Sequence, residues 1–276
     1  MLPLRHVSQR GHSMPVVEAR HSSLIEVVGP MLKTAAGMLR PFYGNTDFGY
    51  KDKTDRRSVV TRLDAEVEAF LRVNLRSLDS DIGFVGEESG GARARRHWLC
   101  DPIDGTQEFV NREEGCTILL ALVEDGRVVF SAINDFSSCF GRDIIYHAVR
   151  DKGAFCNGTR ISVSHKVADF DLAFESNLFE AKEPALRKVA KVHRAGTAGF
   201  ELIRVARGDL DGRVSLKPWG KDYDFAAGAL LVHEAGGKVA NLGKRDYDHN
   251  DLDFIAATPT LYAELTRGPK SPFPVL

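Results

Sequence analysis

Cysteine is scarce in this chain: Cys100, Cys116, Cys139 and Cys156 are the only four in 276 residues. They lie far apart and form no C-x-x-C pair, which argues against a disulfide framework and a thiolate zinc site. Buried free thiols in a reducing compartment are expected, so the chain is expected to be cytoplasmic. Neither sign of charge dominates, since 37 Lys and Arg face 38 Asp and Glu for a net charge of -1. A protein that grips a nucleic-acid polymer by neutralising phosphates usually carries a basic surplus, so that partner class is not expected. No run approaches the roughly 18 apolar residues of a membrane span, so no membrane partner is expected either. Residues 1–17 hold Arg5, His6, Arg10 and His12 but no acid, and they lack the apolar stretch of a signal peptide. A frayed arm, or a start at Met14, is expected there. The absence of internal repeats and low-complexity tracts excludes solenoids and linker-rich scaffolds.

What remains is an ordinary globular composition, 43% hydrophobic and 27% charged. The length suits one or two domains and a core that needs no staples. Apolar residues recur at helical spacing over 17–40, with Pro30 inside and Pro41 and Gly44 as stops. Residues 44–58 read as a polar loop, and 61–78 as a second helix. From residue 82 the pattern turns to strands. TILLALV and VVFSAI flank Glu124-Asp125-Gly126-Arg127, a hairpin signal, and IIYHAV follows at 144–149. After about residue 165 strands and helices alternate. LAFES and 210–216 are strand-like, as is Phe254 to Ala257. Helices are expected over 183–191, 197–207, 225–235 and 259–267. The reading is a mixed α/β (α+β) chain with an N-terminal α+β half, 1–150, and a C-terminal half, 151–276.

Five acidic or glycine-rich segments are candidates for chemistry. Gly86-Glu87-Glu88-Ser89 follows an apolar run. Adjacent carboxylates there are either a solvated turn or cation ligands. In Asp101-Pro102-Ile103-Asp104-Gly105-Thr106, Pro102 fixes φ and Gly105 frees it. The turn is either ordinary loop chemistry or a device that aims Asp101, Asp104 and the Ile103 carbonyl at one hard cation. Backbone N–H groups after Gly105 would then face the same point and could hold a phosphate oxygen. Asp224-Phe225-Ala226-Ala227-Gly228 starts a helix with Asp224 read as its N-cap. Thr61-x-x-Asp64 resembles a capping box. Gly196-Thr197-Ala198-Gly199 opens another helix and could cap it or receive an anion.

Taken in order, these segments resemble the inositol monophosphatase family. The marks are Val60-Thr61-x-x-Asp64, Gly86-Glu87-Glu88, Asp101 to Thr106, Gly153-Ala154-Phe155-x-Asn157-Gly158, Gly196-Thr197-Ala198, and Asp224-x-Ala226-Ala227-Gly228 with Glu234-Ala235-Gly236-Gly237. The resemblance spans roughly residues 20–265. It implies a layered α-β-α-β-α sandwich of two αβ halves with the site between them. It implies two or three Mg²⁺ ions held by Glu87, Asp101, the Ile103 carbonyl, Asp104 and Asp224. Asp64 and Thr106 would orient and deprotonate the attacking water, with Glu88 as a neighbouring carboxylate. Gly105, Thr106, Gly196, Thr197, Ala198 and Lys53 would hold phosphate and substrate. The implied enzyme is a lithium-sensitive phosphomonoesterase, using direct attack by water on a small phosphorylated metabolite, and a homodimer. The demand is physically coherent, because an ester dianion repels hydroxide until cations neutralise it.

Three departures accompany the resemblance. Gly220-Lys221-Asp222-Tyr223 stands between Trp219 and Asp224, where the family usually has Trp next to Asp; this reads either as a local insertion or as Tyr223 in the aromatic position, and it makes Asp222 a second candidate ligand. Gln107-Glu108-Phe109 follows Thr106, and Arg213 stands where a substrate-binding acid is common. The substrate is therefore expected among inositol phosphates, sugar phosphates, histidinol phosphate and adenosine 3′,5′-bisphosphates. A non-catalytic metal- and phosphate-binding module is the rival from another class.

Overall fold

The computed structural model describes residues 16–44, 53–138, 142–267 and 271–275, with the side chains of 16–20, 22 and 53–61 outside that description. The expected N-terminal arm and Cys139 thus fall largely or wholly outside the described residues. Two long helices come first, α1 (Val16–Leu39) and α2 (Lys53–Leu78). They meet through Val28, Leu32, Ala35 and Leu39 on one and Leu63, Val67, Leu71 and Leu75 on the other. Pro30 lies inside α1 without ending it. Helix α2 starts at Lys53, eight residues before the expected Thr61. The run from Lys53 to Val60 is polar, but it contains no Gly or Pro to break a helix. Thr61 is therefore interior to α2, and the capping-box reading fails.

Seven strands form the first sheet in chain order: β1 (Gly83–Gly86), β2 (Arg96–Asp104), β3 (Thr117–Glu124), β4 (Arg127–Asp135), β5 (Ile144–Val149), β6 (Gly153–Cys156) and β7 (Thr159–Arg160). Among the described residues of this sheet, only β1 and β2 pair in parallel. The β3–β4 hairpin turns on Asp125 and Gly126, at φ 50° and 74°, as the Asp-Gly signal predicts. Short helix α3 (Thr106–Asn111) leaves the end of β2.

A second sheet has the order β11–β12–β10–β8–β9, from β8 (Phe170–Ser176), β9 (Ala190–Arg194), β10 (Gly212–Leu216), β11 (Lys238–Asn241) and β12 (Phe254–Ala257). Helices α4 (Phe179–Leu186), α5 (Ala198–Ala206), α6 (Asp222–Glu234) and α7 (Pro259–Thr266) connect or follow these strands. Strands β9 and β11 were not expected, and α4 stops before the predicted 191. Both are sheet-edge strands of four or five residues with a partly exposed face, which leaves little apolar signal.

Three apolar clusters define the layers. One lies between α1–α2 and the first sheet, through Trp98, Ile118, Leu120 and Phe130. A second fills the space between the sheets, where α5 and α6 bring Leu202, Ile203, Phe225 and Leu231 against Leu99, Leu119 and Ala173. A third packs α4 and α7 on the outer face of the second sheet, through Phe174, Phe179, Leu186, Leu261 and Leu265. The order is helices, sheet, helices, sheet, helices, the layered α-β-α-β-α arrangement. Among the described residues no helix is long and apolar enough to cross a membrane.

Candidate active site

Alternation along β2 decides which side chains reach the middle layer. Trp98 and Cys100 face α1 and α2, whereas Leu99 faces α5 and α6, and Asp101 shares its parity. Asp104 is three residues further on, and in a regular strand it would point the opposite way from Asp101. The ladder is irregular here: Asp101 pairs with Leu119, but Asp104 pairs with Thr117, so three steps on β2 match two on β3. This bulge, placed at Pro102, turns both aspartates to the same side. The Asp101 carboxylate also accepts the Ile103 N–H at 3.0 Å, which tightens the turn.

Asp224 arrives from the other half. It is the third residue of α6, and its carboxylate accepts the Lys221 N–H. Asp224 thus caps the helix from inside its first turn, and the residue in the N-cap position is Lys221. One oxygen each of Asp101, Asp104 and Asp224 lie within 4.8 Å of one another, the one cluster of this kind among the described residues. Glu87 is exposed as a residue and lies outside that cluster of three, though burial of its carboxyl and the charge of Asp224 raise its pKa.

The electrostatics follow from packing acids together. Burial, then the charges of Asp224, Asp104 and Glu87, push the Asp101 carboxyl well above the usual carboxylate range. Burial and Asp224 raise Asp104 to about 7, against donation from Thr117 Oγ1 at 2.9 Å and the Gly199 N–H at 2.8 Å. Burial, followed by Glu87, Glu88 and Glu68, raises Asp64 to about 8. Asp64 is only 5% exposed, and its Oδ1 has no hydrogen-bond partner. A buried carboxylate oxygen with no donor, beside several more acids, calls for a cation. Carboxylates are hard oxygen donors, so this site fits divalent Mg²⁺ better than a soft metal.

The remaining candidates are placed as follows. Glu88 is exposed; burial of its carboxyl and the charge of Glu68 raise its pKa. Gly105 sits at φ 91° ahead of α3, and a Cβ there would meet Thr197 Cγ2 at 2.7 Å and the Gly115 carbonyl at 2.8 Å. Thr106 donates its hydroxyl to the Ile103 carbonyl at 3.3 Å, so it is not joined to Asp64 in this structure. Thr197 donates to the Gly115 carbonyl at 2.9 Å, and the Gly196 N–H is taken by Glu201 at 2.8 Å. Ala198 opens α5 and is buried. Lys53 opens α2, and its side chain lies outside the described residues. Asp222 is not a ligand candidate here, because it is buried in an ion pair with Arg93.

Sequence reasoning missed several contributors. Glu68, 1% exposed, accepts the N–H groups of Glu88 at 2.8 Å and Ser89 at 3.1 Å, and so shapes the acidic turn from below. Its spacing of four from Asp64 on α2 was a readable signal. Thr117 and Gly199 orient Asp104. Glu175, at the end of β8, accepts the Trp219 N–H at 3.0 Å and pairs with Arg213. Arg213 is fully buried between Glu175 and Glu201, so its charge is spent inside the protein.

The profile of the Inositol monophosphatase family matches residues 20–268. The chain belongs to the inositol monophosphatase family. A Neisseria meningitidis serogroup B protein named "Putative Nus factor SuhB" is 31% identical over 251 residues, which cover 85% of this chain and 93% of the relative. A Thermotoga maritima protein named fructose-1,6-bisphosphatase/inositol-1-monophosphatase is 27% identical over 247 residues, covering 86% and 92%. A solved inositol monophosphatase from Zymomonas mobilis superposes with a TM-score of 0.72 at 28% identity, covering 88% of this chain and 98% of that one. Family membership accounts for the layered fold and for the order of the acidic segments along the chain.

Proposed function

We propose that this member of the family is an Mg²⁺-dependent phosphomonoesterase acting on a small phosphorylated alcohol. The observation that carries the reading is the convergence of Asp101, Asp104 and Asp224, from two halves of the chain, within 4.8 Å. Together with Glu87 and the Ile103 carbonyl they would hold the ions. Bound there, such ions would neutralise the ester dianion and lower the pKa of a coordinated water. Asp64, with one oxygen uncommitted, would accept the proton of the attacking water, and Thr106 would orient that water. Glu88 would keep the mouth of the site anionic and favour the ions over bulk solvent. Gly105, Thr106, Gly196, Thr197, Ala198 and Lys53 would line the phosphate and substrate side. Direct attack by water needs no side-chain nucleophile, and no phosphoenzyme is expected.

For the alcohol we favour an inositol phosphate, in keeping with the family and with the name of the Thermotoga relative. The exposed Gln107 beside Thr106 keeps adenosine 3′,5′-bisphosphate and histidinol phosphate in the comparison set. Phosphate release with Mg²⁺ from inositol 1-phosphate and these two esters tests the assignment. The highest kcat/KM on inositol 1-phosphate is expected, and a preference for either rival would overturn the substrate. A regulatory, non-catalytic role is the second reading, favoured by the Nus factor name of the 31% relative. No release from any monoester, in a folded protein that binds Mg²⁺, would select it.

A further inference from the structure

The geometry points to Arg93 as a positioning residue that holds the metal ligand Asp224 in place through Asp222. This rests on the metal-binding reading above and deepens it. The cluster exists only if the start of α6 is pressed against the end of β2, because Asp101 and Asp104 lie on one and Asp224 on the other. Apolar packing of α6 fixes its body. Its first turn needs a separate tether, and the bond of Lys221 to Asp224 is internal to that turn.

The tether comes from the connection between β1 and β2. That connection begins with Glu87 and Glu88 and then presents Arg93 to Asp222. The pairing is two-pronged: Arg93 Nη1 meets Asp222 Oδ2, and Nη2 meets Oδ1 at 2.8 Å. Such a fork fixes orientation as well as distance. Nη1 also reaches Asn250 Oδ1 at 3.4 Å, in the connection between β11 and β12. One guanidinium therefore ties the β1–β2 connection of the first sheet to two segments of the second half. Asp222 and Asp224 are two residues apart, about 200° around the helix axis. One faces Arg93 while the other faces the cluster, so the pair clamps the turn without competing for the ions.

Gly220-Lys221-Asp222-Tyr223 separates Trp219 from Asp224 and introduces the acid that Arg93 grips. The Asp222 side chain is 6% exposed, against 45% for Arg93. Loss of Arg93 would strand a buried charge two residues from the ligand Asp224 and release the turn that carries it.

Calorimetric titration with Mn²⁺ in the absence of substrate tests this on wild type, Arg93→Ala, Arg93→Lys and the double variant Arg93→Ala/Asp222→Asn, each with a urea unfolding curve. The double variant breaks the clamp without burying a lone charge, so it is the variant that separates placement from folding. It should unfold near the wild-type midpoint yet bind Mn²⁺ about tenfold more weakly, in the range seen when supports of metal ligands are removed. Arg93→Lys should recover part of the affinity. Wild-type Mn²⁺ affinity in a folded double variant would overturn the clamp and leave the metal site standing. A wild-type protein that takes up no Mn²⁺ would overturn the metal reading and the clamp with it.

Discussion

Replacing Gly199 with Ala probes how closely α5 must approach β3 and the end of β2. Gly199 needs no unusual φ, so the effect is one of space. A Cβ would sit 2.5 Å from Leu119 Cδ2, 2.6 Å from Thr117 Oγ1 and 2.8 Å from Asp104 Oδ2. All three neighbours are buried, and Leu119 and Thr117 are wholly so. Overpacking of this kind costs about 1–3 kcal/mol. Retreat of α5 would also stretch the 2.8 Å bond from the Gly199 N–H to Asp104, and a hydrogen bond to a charged acceptor contributes about 1.5–3 kcal/mol. The two routes relieve one clash and do not add in full, so a loss of about 2–4 kcal/mol is expected. Urea unfolding measures it, and Mn²⁺ titration reads the accompanying displacement of Asp104 as weakened binding. Gly37→Ala in α1 is the control, since a Cβ there meets nothing within 4 Å. That change should be neutral, or stabilising by up to about 1 kcal/mol. Wild-type stability and metal affinity in Gly199→Ala would refute the close-approach argument.

Two further outcomes follow from the same geometry. In metal-free protein Asp64 and Asp104 titrate at about 8 and about 7, above the ordinary 3.8 that they regain on unfolding. The folded state then binds more protons than the unfolded state between these values, so stability falls as pH rises from about 4 to about 8. Melting of chelator-treated protein should occur at a lower temperature at pH 8 than at pH 6, and Mg²⁺ should stabilise more at pH 8. A metal-free protein that gains stability over this interval would contradict the raised values. Glu68→Gln keeps the shape and can keep an oxygen toward Ser89 and Arg72, but it then puts a donor where the Glu88 N–H now finds an acceptor. It should cost about 1–3 kcal/mol and raise the Mg²⁺ concentration needed for half-maximal phosphate release. An unchanged Mg²⁺ requirement would show that the acidic turn does not depend on it.

The parts legible in the sequence are those written locally. The Asp-Gly hairpin, the strand ending in Asp101 and the small-residue start of α6 each carry their own signal within a few residues. Helical periodicity gave α1 and most of α2. The first two turns of α2 carry charge without apolar periodicity, which resembles a loop although no breaker is present. What the sequence hid are the pairings between distant segments. Nothing near Asp104 announces that Thr117 and Gly199 will hold its carboxylate, or that a bulge will turn it toward Asp101. Asp222 looked like a rival ligand because its partner, Arg93, lies 129 positions away. Arg213 looked like a change in substrate chemistry, yet Glu175 and Glu201 enclose it. The expected contact of Thr106 with Asp64 is absent here, where Thr106 turns back to Ile103.

The most direct measurement is phosphate release from inositol 1-phosphate by wild type and Asp104→Asn, with Mg²⁺ and with chelator, alongside calorimetric Mg²⁺ binding. Asn keeps an oxygen for the donors at Thr117 and Gly199 but removes the charge that faces the ion. Wild type should turn over only with Mg²⁺, while the variant should fold, bind Mg²⁺ weakly and lose nearly all turnover. Wild-type rates in Asp104→Asn, or undiminished release under chelator, would contradict an acidic cluster that acts by holding cations.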